Sequence, residues 1–166
     1  MRAERARQAT RDAAERSVVF WAGERCLAIA ISGVREVVDL ARVTPVPGAP
    51  PGILGIASLR GTILAVADTS FLFTGQLAPR PASKLLVLVR DEVVVAGLTV
   101  DRVHGILAIT GQRALADHAA SAERFVRARH DLGLAVIVSE LDPGALNDHI
   151  ESLRLVTAAT ATPSSD

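Results

Sequence analysis

The chain is short of several things, and each scarcity excludes something. It has one cysteine, Cys26, in 166 residues, so no internal disulfide can form and a reducing compartment is the expected setting. Lys+Arg and Asp+Glu stand at 18 each, for a formal net charge of zero. A nucleic-acid binder ordinarily carries a basic excess, and none is present. No apolar run approaches the roughly 18 residues of a membrane span, and the opening MRAERARQAT lacks the apolar region of a signal peptide. A soluble, cytoplasmic protein without direct membrane insertion is expected. GxxxxGK, GxGxxG and GxSxG do not occur, which removes the usual phosphate loops and nucleophile elbow. His104, His118, His130 and His149 fall at no metal-ligand spacing, and one thiol supplies no cluster, so neither metal nor cofactor is expected. The dispersed carboxylates form no recognisable acid/base pair.

What is present is apolar sequence in short runs. Apolar residues make up 49% of a 17.4 kDa chain, enough to bury roughly two-thirds of the unfolded surface without staples. The organising stretch is Ile53 to Phe73, ILGIASLRGTILAVADTSFLF. It reads as a strand, a tight turn at Arg60-Gly61, a second strand, and a short helix with Asp68 as its N-cap. Gly61 answers the turn, but no turn requires a cation at its shoulder. Arg60 is therefore the first residue that asks for a functional explanation.

The rest of the chain has the same texture. Residues 1–16 are Ala, Arg and Glu without large apolar residues, and read as a frayed helix or flexible extension. SVVFWA, a polar break at residues 23–25, and CLAIAI form a hairpin, and Val34 to Val38 a further strand. TPVPGAPPG, residues 44–52, holds four prolines and cannot be a central strand. KLLVLV and VVVAGLTV flank a charged turn at residues 90–92, and VDRVHGILAI continues as a strand. Gly111 to Glu123 reads as a longer loop, and RFVRARHDLGLAVIVSEL as strand, glycine turn, strand. Asp142-Pro143 opens the strongest helix, with Asp142 as N-cap and Leu146, Ile150, Leu153 and Val156 on one face. Residues 157–166 read as a flexible tail.

The pattern repeats. An offset of about 67 lays VVFWAGERCLAIAI on LLVLVRDEVVVAGL, and one of 72 lays Gly61 on Gly133 and Asp68 on Glu140. Two copies of a β-rich unit are implied. The first spans residues 17–82 and the second 83–156, each read as a small five-stranded barrel. At the hairpin turn the second copy has Leu132-Gly133, which implies that the turn tolerates either residue and that Arg60 is not there for folding. Asp101 reads as a turn residue and Gly61, Gly97 and Gly133 as backbone needs.

Several motifs then fall into one order: Val34, Glu36 and Val37 as VxEV; the TPVP connector; GIxxLRGxxLxVxD at Gly55 to Asp68; and GLxVDxV at Gly97 to Val103. This pattern, spread over Ser17 to Val156, resembles the CheW-like family of chemotaxis coupling proteins, and is similar to the regulatory domain of the chemotaxis histidine kinase. The resemblance implies a mainly β protein of two SH3-like five-stranded barrel lobes about a pseudo-twofold axis, with short helices and a C-terminal helix. It implies a non-enzymatic adaptor between methyl-accepting receptors and a histidine kinase, recruited to membrane-associated arrays and able to meet copies of itself or other CheW-like proteins. Carried over by motif, Val34, Glu36, Arg60, Leu86, Val103 and Ile106 would line a groove for a receptor's helical tip, and Gly55 and Ile56 would meet the kinase regulatory domain. Taken without the motif, Val34, Leu86, Val103 and Ile106 read as core, and Glu36 as a partner of Arg35 or Arg60. The chain departs from the family pattern at Ser58, Ala65, Thr69 and Arg127, which bears on its partners rather than its fold. Two other readings remain: a CheW-like scaffold of a pilus or surface-motility pathway, and a small β-barrel enzyme working in the inter-lobe cleft.

Overall fold

In the computed structural model, residues 1–14, 16–40, 42–109, 113–114, 124–133 and 135–160 are described. Helix α1 (Arg2–Ala14) comes first, built of the strong helix formers Ala, Arg, Glu and Gln, and it lies against β1 with residues 1–8 exposed. Strands β1 (Arg16–Ala22) and β2 (Arg25–Ala30) form a hairpin, followed by β3 (Val34–Asp39), β4 (Ile53–Leu59), β5 (Thr62–Ala67) and helix α2 (Thr69–Thr74). The second half contributes β6 (Lys84–Arg90), β7 (Val93–Val100), β8 (Arg102–Ala108), the two-residue β9 (Arg113–Ala114), β10 (Val126–Asp131), β11 (Ile137–Leu141) and α3 (Pro143–Thr160). Apart from β9, the loop expected at residues 111–123 lies outside the described residues, as do His118 and residues 161–166. The backbone of α3 continues to Thr160, so residues 157–160, expected in the tail, are helical.

The strands form two sheets, in the orders β8-β1-β2-β11-β10-β9 and β3-β6-β7-β5-β4. The protein is mainly β and two-lobed, as expected, and neither sheet closes on itself among the described residues. The lobes, however, do not follow the chain. The hairpin β1–β2 pairs with β8 and, in parallel, with β11, while β6–β7 pairs with β3 and, in parallel, with β5. One lobe therefore joins the β1–β2 hairpin to four strands of the second half and the other joins the β6–β7 hairpin to three strands of the first, and the division at 82/83 into contiguous barrels is corrected to an exchange of hairpins.

The repeat also needs re-registering. The two-residue turns Gly23-Glu24 and Asp91-Glu92 set Ala22 opposite Arg25 and Arg90 opposite Val93, so Ala22 corresponds to Arg90 and Val18 to Leu86, one residue beyond the offset of 67. One residue matters in a strand, because it reverses which face a side chain takes. With this register, Val18, Phe20, Leu86 and Leu88 all point into one central cluster between the sheets, with Leu27, Ile29, Leu98, Phe125, Leu141, Leu146 and Ile150. The opposite faces fill two smaller lobe interiors, around Val19, Cys26 and Val138 and around Leu64, Val66 and Leu85.

Caps and clips fix the corners. Asp68 Oδ1 accepts from the Phe71 N–H at 2.9 Å, and Asp142 Oδ1 from the Ala145 N–H at 3.0 Å. These two carboxylates are equivalent across the repeat, so Asp68 corresponds to Asp142 and not to Glu140. Asp101 Oδ2 accepts from the Gly23 N–H, tying the β7–β8 corner to the first hairpin turn. Thr69 donates two buried hydrogen bonds to Thr99, from its N–H to Oγ1 at 3.0 Å and from its Oγ1 to the carbonyl at 2.7 Å, which dock α2 on β7. A Cβ at Gly97 would strike the Leu85 side chain, so glycine there permits close packing.

The lobe interiors are chemically unlike. By strand pairing, Leu54, Ala57 and Val66 of one lobe correspond to Arg127, His130 and Glu140 of the other. The buried Glu140 bonds Arg127 through Oε1 and His130 Nε2 through Oε2 at 2.8 Å. Removing one member leaves the others uncompensated, whereas an apolar set of similar volume does not. Glu140→Ala alone is expected to cost about 1–3 kcal/mol in urea unfolding, since Arg127 is half-exposed and stays hydrated without its partner. The triple change Arg127→Leu, His130→Ala, Glu140→Val, which copies the other lobe, is expected to be at least as stable as wild type; a triple variant weaker than the single one would show that the ion cluster stabilises outright.

Helix α3 carries a pH dependence. His149 packs 5.1 Å from the Phe125 ring and faces the Arg124 guanidinium, whose Nη2 lies 2.9 Å from Nε2. Burial first, and Arg124 second, hold its pKa below the ordinary 6.5. The neutral ring is favoured in the fold, so its contribution is complete above 6.5 and is lost as pH falls through the lowered value. Unfolding free energy should decline over that interval, and His149→Gln should flatten the decline.

Candidate functional site

Arg60 and Gly61 are the centre of a two-residue turn that closes on the Leu59–Thr62 pair. Both have positive φ, 49° and 81°, the pattern of a type I′ turn that favours Asn-Gly. Arginine is a costly residue there, since a side chain in the left-handed region loses on the order of 1–2 kcal/mol. The second copy is no control for this turn: Asp131 pairs with Ile137 across a five-residue loop, residues 132–136. That Leu132-Gly133 is tolerated in a longer loop says nothing about Arg60. Arg60 instead stands against its own local backbone preference.

Arg60 is held upright by Glu36. Nη1 donates to Oε1 at 3.0 Å and Nη2 lies 2.9 Å from Oε2, a two-pronged pair. A bulge at Arg35 in β3 separates the Val34 and Glu36 pairings and turns Glu36 toward the turn. The Arg60 side chain is 74% exposed and that of Glu36 21%. An ion pair this open contributes less than about 1 kcal/mol, so it orients the guanidinium more than it stabilises the fold. Below it, Arg35, Leu59, Thr62, Leu64 and Val94 line a cleft of about 100 Å³.

The other expected groove residues separate into two sets. Val34 on β3 and Val103 on β8 occupy equivalent edge positions, opposite Leu88 and Phe20, and both border the central cluster half-buried. Ile106 is 45% exposed on β8. Leu86 does not belong with them: it is fully buried in the central cluster, because its strand position points inward. Gly55 is likewise buried; a Cβ there would run into the Thr44 carbonyl oxygen, so this glycine admits the proline-rich connector rather than presenting a surface. Its neighbour Ile56 is half-buried and pairs with Thr44.

Sequence reasoning overlooked two exposed apolar residues. Ile63 is 68% exposed, opposite Ser58 near the turn, and Val93 is 67% exposed at the start of β7. Strand alternation against the buried Leu64 and Val66 was the signal for Ile63. Their chain neighbours Leu64 and Val94 line the cleft under Arg60, so by the same alternation Ile63 and Val93 take the other face of their strands.

A CheW-like domain model matches residues 16–151. The chain is 30% identical over 93 residues to "Chemotaxis protein CheW" of Rhizobium meliloti (strain 1021), a stretch covering 56% of this chain and 60% of that protein. It is 31% identical over 87 residues to "Protein PilI" of Pseudomonas aeruginosa, covering 52% of this chain and 49% of that one. The crystal structure of the scaffolding protein TtCheW from Thermoanaerobacter tengcongensis superposes with a TM-score of 0.65 at 26% identity, over 76% of this chain and 83% of that one.

If Arg60 is displayed rather than structural, Arg60→Asn should relieve the turn. We expect stability unchanged or raised by up to about 1 kcal/mol, the backbone gain offset by the lost surface pair. A loss above about 2 kcal/mol in urea unfolding would instead assign the Glu36 pair to the fold.

Proposed function

The chain belongs to the family of CheW-like domains, and from that premise we propose that it is a chemotaxis-type adaptor that couples the cytoplasmic tips of receptors to a histidine kinase. The observation that carries this reading is the exposed guanidinium of Arg60, kept in an unfavourable turn and steadied by Glu36 over a cleft whose apolar lining is Leu59, Leu64 and Val94. An amphipathic helical tip needs an apolar seat and a fixed polar contact to set its register. Val34, Val103 and Ile106 along the two edge strands supply the seat, and Arg60 the contact. Leu86 stiffens the wall from behind without touching the partner. For the kinase regulatory domain, the half-buried Ile56 and the adjoining Ile63 offer apolar area near the same end of the five-stranded sheet. No covalent step is required: the work is to hold two proteins at a defined spacing.

The test is a capture experiment with cognate receptor tips and kinase regulatory domain. Arg60→Glu places two carboxylates face to face with Glu36 and reverses the displayed charge. Capture of receptor tips should fall by roughly tenfold or more, with an unchanged circular dichroism spectrum and melting temperature. Undiminished capture by the folded variant would refute the role given to Arg60.

A further inference from the structure

The exchange of hairpins gives the molecule two equivalent mouths, one at each lobe, and they have diverged. At the first, Arg35, Glu36 and Val94 lie under Arg60. At the second, strand pairing puts His104 in place of Arg35, Gly105 in place of Glu36 and Cys26 in place of Val94. The ion pair that spans the first mouth has no counterpart, since Gly105 and Gly133 carry no side chain and a Cβ on either would meet open space. What results is a cavity of about 290 Å³, lined chiefly by Val19, Trp21, Cys26, Leu107, Leu132 and Val136, with His104 at its rim.

Its chemistry is specific. The floor is the apolar interior around Val19, Cys26 and Val138. Trp21 forms one wall, and the Arg102 guanidinium covers its ring at 4.7 Å. Arg102 is not itself a lining residue but stands against the Trp21 wall; burial raises the Cys26 pKa, and Arg102 opposes the rise. No carboxylate lines the cavity among the described residues; the Asp131 carboxylate in the same loop accepts from the Gly133 N–H at 2.8 Å. The volume is at the lower edge of the roughly 300–1,000 Å³ typical of small-molecule sites. An apolar cavity of this kind gains by taking hydrocarbon in place of poorly bonded water.

We propose that this second mouth binds a small one-ring aromatic carboxylic acid, its ring against Trp21 and the aliphatic floor, its carboxylate at Arg102 and His104. The site is separate from Arg60 and needs no partner protein to form.

Trp21 is the one tryptophan of a chain without tyrosine, so its fluorescence reports the cavity directly. The full-length protein is titrated with 4-isopropylbenzoate and, separately, with neutral 4-isopropyltoluene. The acid should give a saturable change in Trp21 emission and a rise in melting temperature, as for any ligand that binds the folded state. Arg102→Gln should weaken the acid by roughly tenfold and leave the neutral compound unaffected. Ala108→Phe, at an exposed edge-strand position, and Val136→Phe should fill the cavity and abolish both signals. Linear quenching without saturation, acid binding unaltered in a folded Ala108→Phe variant, or tighter binding of the neutral compound than of the acid would each overturn the proposal.

Discussion

Strand β2 finds its outer neighbour in β11, and β5 finds its own in β7, and both of these pairings are parallel and cross the middle of the chain. Everything else in the fold depends on those two seams. Without them each half holds a hairpin with one open side and further strands that cannot bury their inward face. A sheet edge left unpaired in the interior strands buried N–H and C=O groups, which no burial of neighbouring methyl groups offsets. The halves are therefore not separately foldable units that happen to touch. The central cluster draws Val18, Phe20 and Leu27 from one end of the chain and Leu141, Leu146 and Ile150 from the other, so the lobes are stabilised as one body. Pairings this distant in sequence also form late, because loop closure precedes any gain from contact.

The local vocabulary of the fold was legible in the residues. Short apolar runs with polar breaks placed β1, β2, β6 and β7, and the Asp68 and Asp142 caps marked helix starts to the residue. The doubling of the unit was legible too, but its consequence was not. Repeated sequence says that two copies exist; it does not say which copy a hairpin pairs with, since both edges have equivalent residues. Register failed by one position for a related reason. The charged breaks at residues 23–25 and 90–92 look equivalent, but the turns are Gly23-Glu24 and Asp91-Glu92; a bulge, where Val89 pairs with Val94 but Leu88 with Ala96, then adds a further residue that a run of β-branched residues does not reveal. The pairing of Glu36 with Arg60 was legible because charge in an apolar context stands out, whereas the burial of Leu86 was not, because inward and outward leucines look alike without register.

Pseudo-symmetry makes the chain its own comparison. The same backbone holds Leu54, Ala57 and Val66 in one lobe and Arg127, His130 and Glu140 in the other. It holds an ion pair across one mouth and two bare glycines across the other. A sheet framework thus leaves the chemistry of its interior open, provided the strand faces keep their sides. The departure at Arg127 belongs to this pattern: it is a bulge position whose side chain runs inward to a buried carboxylate, and its counterpart Leu54 packs on apolar neighbours.

The proline-rich segment has a consequence at the rim of the five-stranded sheet. β4 is an outermost strand, and such strands are ready templates for growth by another chain. Here Thr44 exchanges hydrogen bonds with Ile56 at 2.8 and 2.9 Å, and Pro45 and Pro47, which follow it, donate nothing. The segment acts as a fender laid along the border: it takes up the outward N–H and C=O of Ile56 and makes the strand a poorer template for another chain. The opposite border of the same sheet is β3, with Val34 and Glu36.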